Sequence, residues 1–311
     1  MRAIRIHEFG GPEVLKLEEV PIPRPAPGEV LVSVHATSVN PVDWRIRSGQ
    51  RKEKFPVQFP FTPGWDVSGV VQEVGEGVQG LKAGDEVYGR PHPTRNGAYA
   101  EYIALPADEL AKKPKSIDHI HAAAVPLAGL TAWQGLFDHG HLTEGQRVLI
   151  HGASGGVGTL AVQFAKWKGA HVIGTASEKN FGLLNELGAD ELIDYRQAYF
   201  WEKLSNLDLV FDTIGGETQR RSLDVIRPGG RLITTLKPEY VDEAKTRNIH
   251  LEGYTAQAYP HQLEAIASLI DERSVKPVIY KVMELEDAAA AQQESQGGHV
   301  NGKIILKVAG K

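Results

Sequence analysis

The strongest constraint on the fold lies between Arg147 and Leu236. There, short apolar runs alternate with helix-compatible stretches. "RVLIHGA" is followed by "TLAVQFAKWKG", "HVIGTA" by "NFGLLNELGA", "LDLVFDTIG" by "QRRSLDVIRPGG", and then comes "RLITTL". Strands separated by helices pair in parallel, because the crossover helix returns the chain to the same end of the sheet. The expected fold is therefore α/β, with a doubly wound parallel sheet. "GASGGVG" joins the first strand to the first helix, with Gly152, Gly155 and Gly158 three residues apart. A glycine turn between strand and helix lets backbone N–H groups approach a pyrophosphate, and the helix N-terminus favours its charge. Ala153, Ser154, Gly155, Gly156 and Val157 are accordingly candidate cofactor-binding residues. The alternative is a glycine-rich structural turn that binds nothing.

A site that prefers NAD places an acid about 20 residues further on, at the end of the second strand, to bind the ribose hydroxyls. Here that strand ends in Thr175-Ala176-Ser177, with Lys179 close behind. Ser177 can donate to a 2′-phosphate and Lys179 can neutralise it, so the expected cofactor is NADPH. Lys179 can equally be a solvated lysine opening the next helix. Tyr195, after "ELID", either borders the ribose or is a half-buried residue at a strand end. "FDTIGG" closes the fourth strand, whose carboxyl end faces the cofactor crevice in such folds, so Thr213, Ile214 and Gly215 are expected to line it.

Up to about Leu105 the chain reads as strands and turns: "RAIRIHEF", "EVLVSVHATSV", "DVSGVVQEVG", "DEVYG" and "AYAEYIAL". The period turns helical in "HAAAVPLAGLTAWQGLFDHG". A final helix, "YPHQLEAIASLID", precedes the strand "GKIILKV". This order predicts a β-rich domain formed by residues 1–121 and 262–311, interrupted by the parallel-sheet domain, 122–261.

With 34 Lys+Arg against 39 Asp+Glu and no basic patch, nucleic acid is not an expected partner. The N-terminal "MRAIRIHEFGG" has no signal-type apolar core. No apolar run approaches the roughly 20 residues of a membrane span. A cytoplasmic protein is expected. The 311 residues include no cysteine, which excludes disulfides, thiolate catalysis and any zinc site with a cysteine ligand. The histidine pairs His119/His121 and His139/His141 flank a helical stretch and are expected to face solvent, so no metal site is expected.

Together, "GWDVSGVVQEVGEGVQGLKAGDEV" (64–87), "ATSVNPVDW", "PLAGLTAW", "GASGGVG", "LGADELIDY", "FDTIGG" and "GHVNGKIILKV" are similar, in order and spacing, to the medium-chain dehydrogenase/reductase superfamily. The resemblance is to its zinc-free quinone oxidoreductase and alkenal/enone reductase branch, and it covers essentially the whole chain. It implies a GroES-like catalytic domain beside the Rossmann domain, NADPH as cofactor and a homodimer. Zinc-dependent relatives carry a His-Glu pair where this chain has Trp65-Asp66, and a cysteine ligand in the segment matching "HATSVNPVD". Both are absent here.

The implied reaction is hydride transfer to a quinone or an α,β-unsaturated carbonyl compound, in which charge collects on the carbonyl oxygen. A non-enzymatic NADPH-binding protein and an enoyl-thioester reductase are the other readings. The resemblance places Asn40 near the nicotinamide and gives Thr131 a cofactor contact. It also puts Arg45 where enone reductases have a lysine, so Arg45 can stabilise an oxyanion. "NPVDWRIRSG" (40–49) is read as a loop, in which Asp43 either fixes the loop or orients Arg45. Trp44 is a lid or loop packing, and Arg45 and Arg47 are otherwise surface charge.

Overall fold

The computed structural model describes residues 1–308. In chain order the strands are β1 (Arg2–Arg5), β2 (Lys16–Glu19), β3 (Glu29–Val39), β4 (Val67–Val74), β5 (Glu86–Gly89), β6 (Tyr102–Pro106) and β7 (Leu110–Lys112). They continue with β8 (Arg147–His151), β9 (His171–Ala176), β10 (Glu191–Asp194), β11 (Leu207–Asp212), β12 (Ile226–Thr234), β13 (His250–Gly253), β14 (Ile279–Glu284) and β15 (Lys303–Lys307). The chain divides into two units. One comprises Met1–Leu127, Ala258–Arg273 and the chain from Pro277; the other comprises Ala128–Gln257 and Ser274–Lys276.

The first unit is a seven-stranded sheet in the order β14-β15-β3-β4-β5-β7, with β6 paired to β3, plus the hairpin β1-β2. The long β3 alternates as its β-branched pattern requires. Val30, Val32 and Val34 enter a core with Trp65, Tyr99, Ile103, Ile304 and Leu306. β15 returns from the far end of the sequence to pair antiparallel with β3, Ile304 opposite Val39. Leu127 closes this unit, its N–H held by Asp66 Oδ1 at 2.6 Å.

The second unit is a six-stranded sheet in the order β10-β9-β8-β11-β12-β13, every neighbouring pair parallel. This is the doubly wound order, with the reversal between β8 and β11. Leu149, Ile173, Val210 and Leu232 form its buried middle.

Three local expectations change. "NPVDWRIRSG" is not a loop: Pro41–Arg47 is helical, with Asn40 in extended backbone at its N-cap. Proline in the first turn and an acid at the third position are helix-start signals. "QRRSLDVIRPGG" is helical only in its first part. The helix Gly216–Ser222 ends early, and β12 begins at Ile226, which pairs with Leu207; Pro228 and Gly229-Gly230 suit a strand bend better than a helix. His119 does not face solvent. It is half-buried, with Nδ1 2.8 Å from Ser68 Oγ and Nε2 3.2 Å from Glu86, and burial, with the nearby His35, pushes it down to about 4.

Candidate cofactor turn and polar rim

In the second unit, β8 runs into Gly152, whose φ of +69° lies in the left-handed region that glycine adopts freely. The twelve-residue helix Gly156–Trp167 follows, and no side chain caps it. A Cβ on Gly158 would lie 2.2 Å from Gly152 O and 2.6 Å from Ala153 O, so only glycine lets the helix close on the turn. A Cβ on Gly155 would meet only Gly152 O, at 3.4 Å. The space beyond Gly155 is open, while Ser154, Gly155, Gly156 and Val157 are half-buried and accessible. An uncapped helix start facing open space suits a pyrophosphate.

Beside this turn, the sequence reading missed Asn180. Its Nδ2 donates to Ser154 Oγ and Ser177 Oγ, both at 3.1 Å. Each hydroxyl therefore accepts from Asn180 and keeps its own proton for an outside acceptor. Ser177 is buried at the end of β9, and Lys179 is exposed. Glu178 is turned away, its Oε2 accepting from Gln197 at 3.1 Å. Tyr195 follows β10, one step beyond the pairing of Asp194 with Ala176, and is exposed under the Arg196 guanidinium.

Thr213 donates to His151 O at 2.9 Å and flanks Gly152. Asp212 Oδ1 accepts the N–H groups of Ile214 and Gly215, both at 2.9 Å. That pair of bonds presents the Ile214 side chain 55% exposed at the carboxyl end of β11. Thr131 is mostly buried, and its carbonyl takes the Tyr254 hydroxyl. His151 is buried between Thr175 and Ser222, and burial pushes it down to about 4, so it is a neutral structural residue.

In the first unit, one rim of the sheet collects polar groups from distant parts of the chain. The end of β3 supplies Asn40, the start of β4 Asp66, the end of β5 Arg90, and the start of β15 Lys303. These lie within one or two residues of the pairs Val39 with Ile304 and Val67 with Gly89. Asp66 is fully buried and both its oxygens are consumed. Oδ2 accepts from Ser38 Oγ, Asn40 Nδ2 at 2.6 Å and Lys303 Nζ at 3.4 Å, and Oδ1 holds Leu127 N. Lys303 Nζ also donates to Asn40 Oδ1 and to Val39 O at 3.2 Å. The Asn40 amide is thus locked from both ends.

Asp43 does not orient Arg45. Its Oδ2 accepts Asn40 N at 2.8 Å and the Tyr99 hydroxyl at 3.4 Å, while Oδ1 accepts Gly64 N at 3.2 Å. Burial, aided by the Asp66 charge, pushes its carboxyl up to about 7. Arg47 is not surface charge: it is buried, with Nη1 2.9 Å from Gln292 Oε1 and Nε donating to Gly10 O. Arg45 is half-buried, its guanidinium 5.0 Å above the Trp44 ring, and desolvation with the neighbouring Arg51 lowers its pKa. Trp44 Nε1 is buried without a partner.

Residues 26–115 match the alcohol dehydrogenase GroES-like domain family, and residues 187–306 the zinc-binding dehydrogenase family. The mouse NAD(P)H oxidoreductase RTN4IP1, a mitochondrial protein by its name, is 33% identical over 99% of this chain and 89% of its own length. The quinone oxidoreductase of Coxiella burnetii is 34% identical and superposes with a TM-score of 0.93, covering 99% of both chains. The chain belongs to the medium-chain dehydrogenase/reductase superfamily, in its quinone oxidoreductase branch. The Escherichia coli quinone oxidoreductase, solved with NADPH, is a further structural relative of this branch. It has a TM-score of 0.88 at 28% identity, over 99% of this chain and 100% of its own.

As a member of this superfamily, the protein combines a GroES-like domain with an NAD(P)H-binding Rossmann sheet, the scaffold of an oxidoreductase. Among the described residues, no helix is long and apolar enough to cross a membrane, and no group of three or more His, Asp or Glu could hold a metal ion. The sequence singled out the turn and the end of β9 in the Rossmann unit. In the GroES-like unit it named Asn40, Asp43 and Arg45 and missed Lys303 and Arg90. Neither of those carries a local motif.

Proposed function

We propose that the protein transfers hydride from NADPH to a quinone or an α,β-unsaturated carbonyl compound, and does so without zinc. NADPH, when bound, supplies the hydride itself. The observation that carries the cofactor choice is the pair of hydroxyls held by Asn180. Ser177 stands where an NAD site would place a carboxylate, its proton is free to donate, and Lys179 is exposed beside it. In this reading Ser154, Gly155, Gly156 and Val157 hold the pyrophosphate over the backbone of Ala153. Ser177 and Lys179 hold the 2′-phosphate. Thr131, Tyr195, Thr213, Ile214 and Gly215 line the rest of the cofactor.

Arg45 meets the oxygen that becomes negative. It stacks on Trp44, pairs with no carboxylate among the described residues, and is desolvated enough for its charge to count. An arginine does not give up its proton at neutral pH, so the enolate carbon of a reduced enone, or the hydroquinone oxygen of a reduced quinone, takes its proton from water. Asn40 and Asp43 are positioning residues. Asn40 is locked to Asp66 and Lys303, and Asp43 ties the start of the Arg45 helix to Gly64. The zinc-free reading is supported by the absence of every cysteine and by Trp65-Asp66, where Asp66 has no oxygen left for a metal.

The test replaces Ser177 and Lys179 together by Ala and measures turnover of a panel of quinones and enones with each cofactor. The KM for NADPH should rise about 10- to 150-fold, the range of a lost charged hydrogen bond, and the KM for NADH should stay nearly constant. Equal losses with both cofactors refute the 2′-phosphate assignment. Activity lost to a chelator and restored by zinc alone refutes the metal-free mechanism.

A further inference from the structure

Arg90 follows β5 and is 4% exposed. A buried guanidinium is ordinarily paired, since an uncompensated buried charge is expensive. Arg90 has no such pairing. Its Nε is buried with no partner, and among the described residues its guanidinium makes no hydrogen bond and no ion pair. Its guanidinium lies over the face of Trp65, 5.3 Å from the ring centroid.

The neighbouring carboxylates, Glu109 and Asp66, lie near enough to attract its charge but form no hydrogen bond or ion pair with it. Asp66 is consumed by Ser38, Asn40, Lys303 and Leu127. Glu109 holds the His92 N–H at 3.0 Å. The contrast with Lys303 on the same rim is direct, since that ammonium has three acceptors. The fold therefore hydrogen-bonds one buried cation fully and leaves another without a hydrogen bond, on the same rim that carries Asn40 at the start of the Arg45 helix.

We propose that Arg90, stacked on Trp65, is a specificity-determining residue that binds a carboxylate on the acceptor, so that the preferred substrate is an anionic quinone or enone. The planar guanidinium offers parallel N–H donors that match the two oxygens of a carboxylate. The aromatic face behind it fixes the plane of the fork and needs no counter-charge. This rests on the reading of the protein as a quinone or enone reductase and narrows its substrate class.

The experiment uses two matched pairs of probes. One is trans-4-oxo-2-pentenoate and its primary amide, as reducible acceptors. The other is the saturated 4-oxopentanoate and its amide, which lack the C=C bond that accepts the hydride and, with no reduced cofactor present, report binding alone by calorimetry. The wild type should bind 4-oxopentanoate about 10- to 150-fold more tightly than the amide, and show a similar preference in kcat/KM for the unsaturated acid. Arg90→Gln should abolish both preferences while still reducing the neutral amide. Arg90→Lys should restore part of them, because a point charge lacks the fork. Arg90→Met should unfold at a temperature close to that of the wild type, since it breaks no hydrogen bond.

Equal binding of acid and amide by the wild type overturns the proposal. So does an Arg90→Met variant that is destabilised while Arg90→Gln keeps the preference, because that pattern marks a structural arginine. Discriminating binding by the wild type without turnover of any acceptor supports the carboxylate site and overturns the reductase reading. Turnover without discrimination does the reverse.

Discussion

Gly155 and Gly158 belong to one turn, and the structure separates what each does. On Gly158 an added methyl would lie 2.2 Å from Gly152 O and 2.6 Å from Ala153 O. Both are backbone atoms, so no side chain can rotate away. Ordinary contact requires the helix Gly156–Trp167 to retreat from the turn by on the order of 1 Å. Forcing one methyl into a packed contact costs about 1–3 kcal/mol, or roughly 2–12 °C in Tm for a unit of this size. The retreat also carries the helix N-terminus away from the phosphate position, so Gly158→Ala should lose both stability and cofactor affinity.

On Gly155 the methyl would meet only Gly152 O, at 3.4 Å, and its φ of −75° is open to alanine. The stability cost is then only that of alanine in place of glycine at an N-cap, about 1 kcal/mol or less. The methyl does occupy the space over the helix start, so NADPH affinity should fall about tenfold, which is about 1.4 kcal/mol. Thermal unfolding with and without NADPH reads both effects, because ligand at about 100 times Kd adds about 2.7 kcal/mol to the wild type. Gly155→Ala should lose at most about 4 °C of its unliganded Tm and part of the NADPH-induced rise; Gly158→Ala should lose more of the first and also part of the second. A Gly158→Ala variant with wild-type Tm, or a Gly155→Ala variant with wild-type NADPH affinity, refutes the argument.

Two further outcomes concern the polar rim. Burial and the Asp66 charge hold the Asp43 carboxyl at about 7, against 3.8 for the free group. Between those values the unfolded chain binds fewer protons than the folded one, so this residue's contribution to stability falls as pH rises from about 4 to about 7 and is flat above. Asp43→Asn should remove that downward slope in a plot of Tm against pH, and an unchanged slope refutes the assignment. Lys303→Met leaves the fully buried Asp66 and the Asn40 amide oxygen without their cation, which should cost about 3–5 kcal/mol in denaturant unfolding. Adding Asp66→Asn should recover part of the loss, and a Lys303→Met variant as stable as the wild type refutes the network.

The parallel unit was legible because its signals are local and periodic. Each strand is a short apolar run, each helix follows at once, and the glycine turn sits in sequence at the place it occupies in the fold. Asn180 escaped because nothing in "SEKN" shows that its side chain points back 26 residues to Ser154. The Arg45 helix escaped because seven residues are too few for a helical period to show, although Asn40, Pro41 and Asp43 carried its start signals. The rim was the least legible part. Residues 40, 66, 90 and 303 meet only through antiparallel register, and that register is set by which faces of β3, β4, β5 and β15 are buried. A lysine in "GKIILKV" looks like an edge residue until β15 is known to pair with β3.

The rim also explains why Asn40 and Asp43 are poor candidates for chemistry and good ones for precision. Both nitrogen and oxygen of the Asn40 amide are bonded to buried charged groups, and Asp43 binds two backbone N–H groups on different segments, Asn40 and Gly64. A residue held this way cannot swing to follow a substrate, but it fixes the angle at which the Arg45 helix leaves β3. Placement errors near 1 Å at a reacting centre cost about 10²-fold in rate. Buried polar groups that touch no substrate can therefore be as sensitive to substitution as groups that do. The two cases separate in the readout: a positioning residue should lower kcat for every acceptor alike, whereas Arg90 should lower kcat/KM only for acceptors that carry the matching charge.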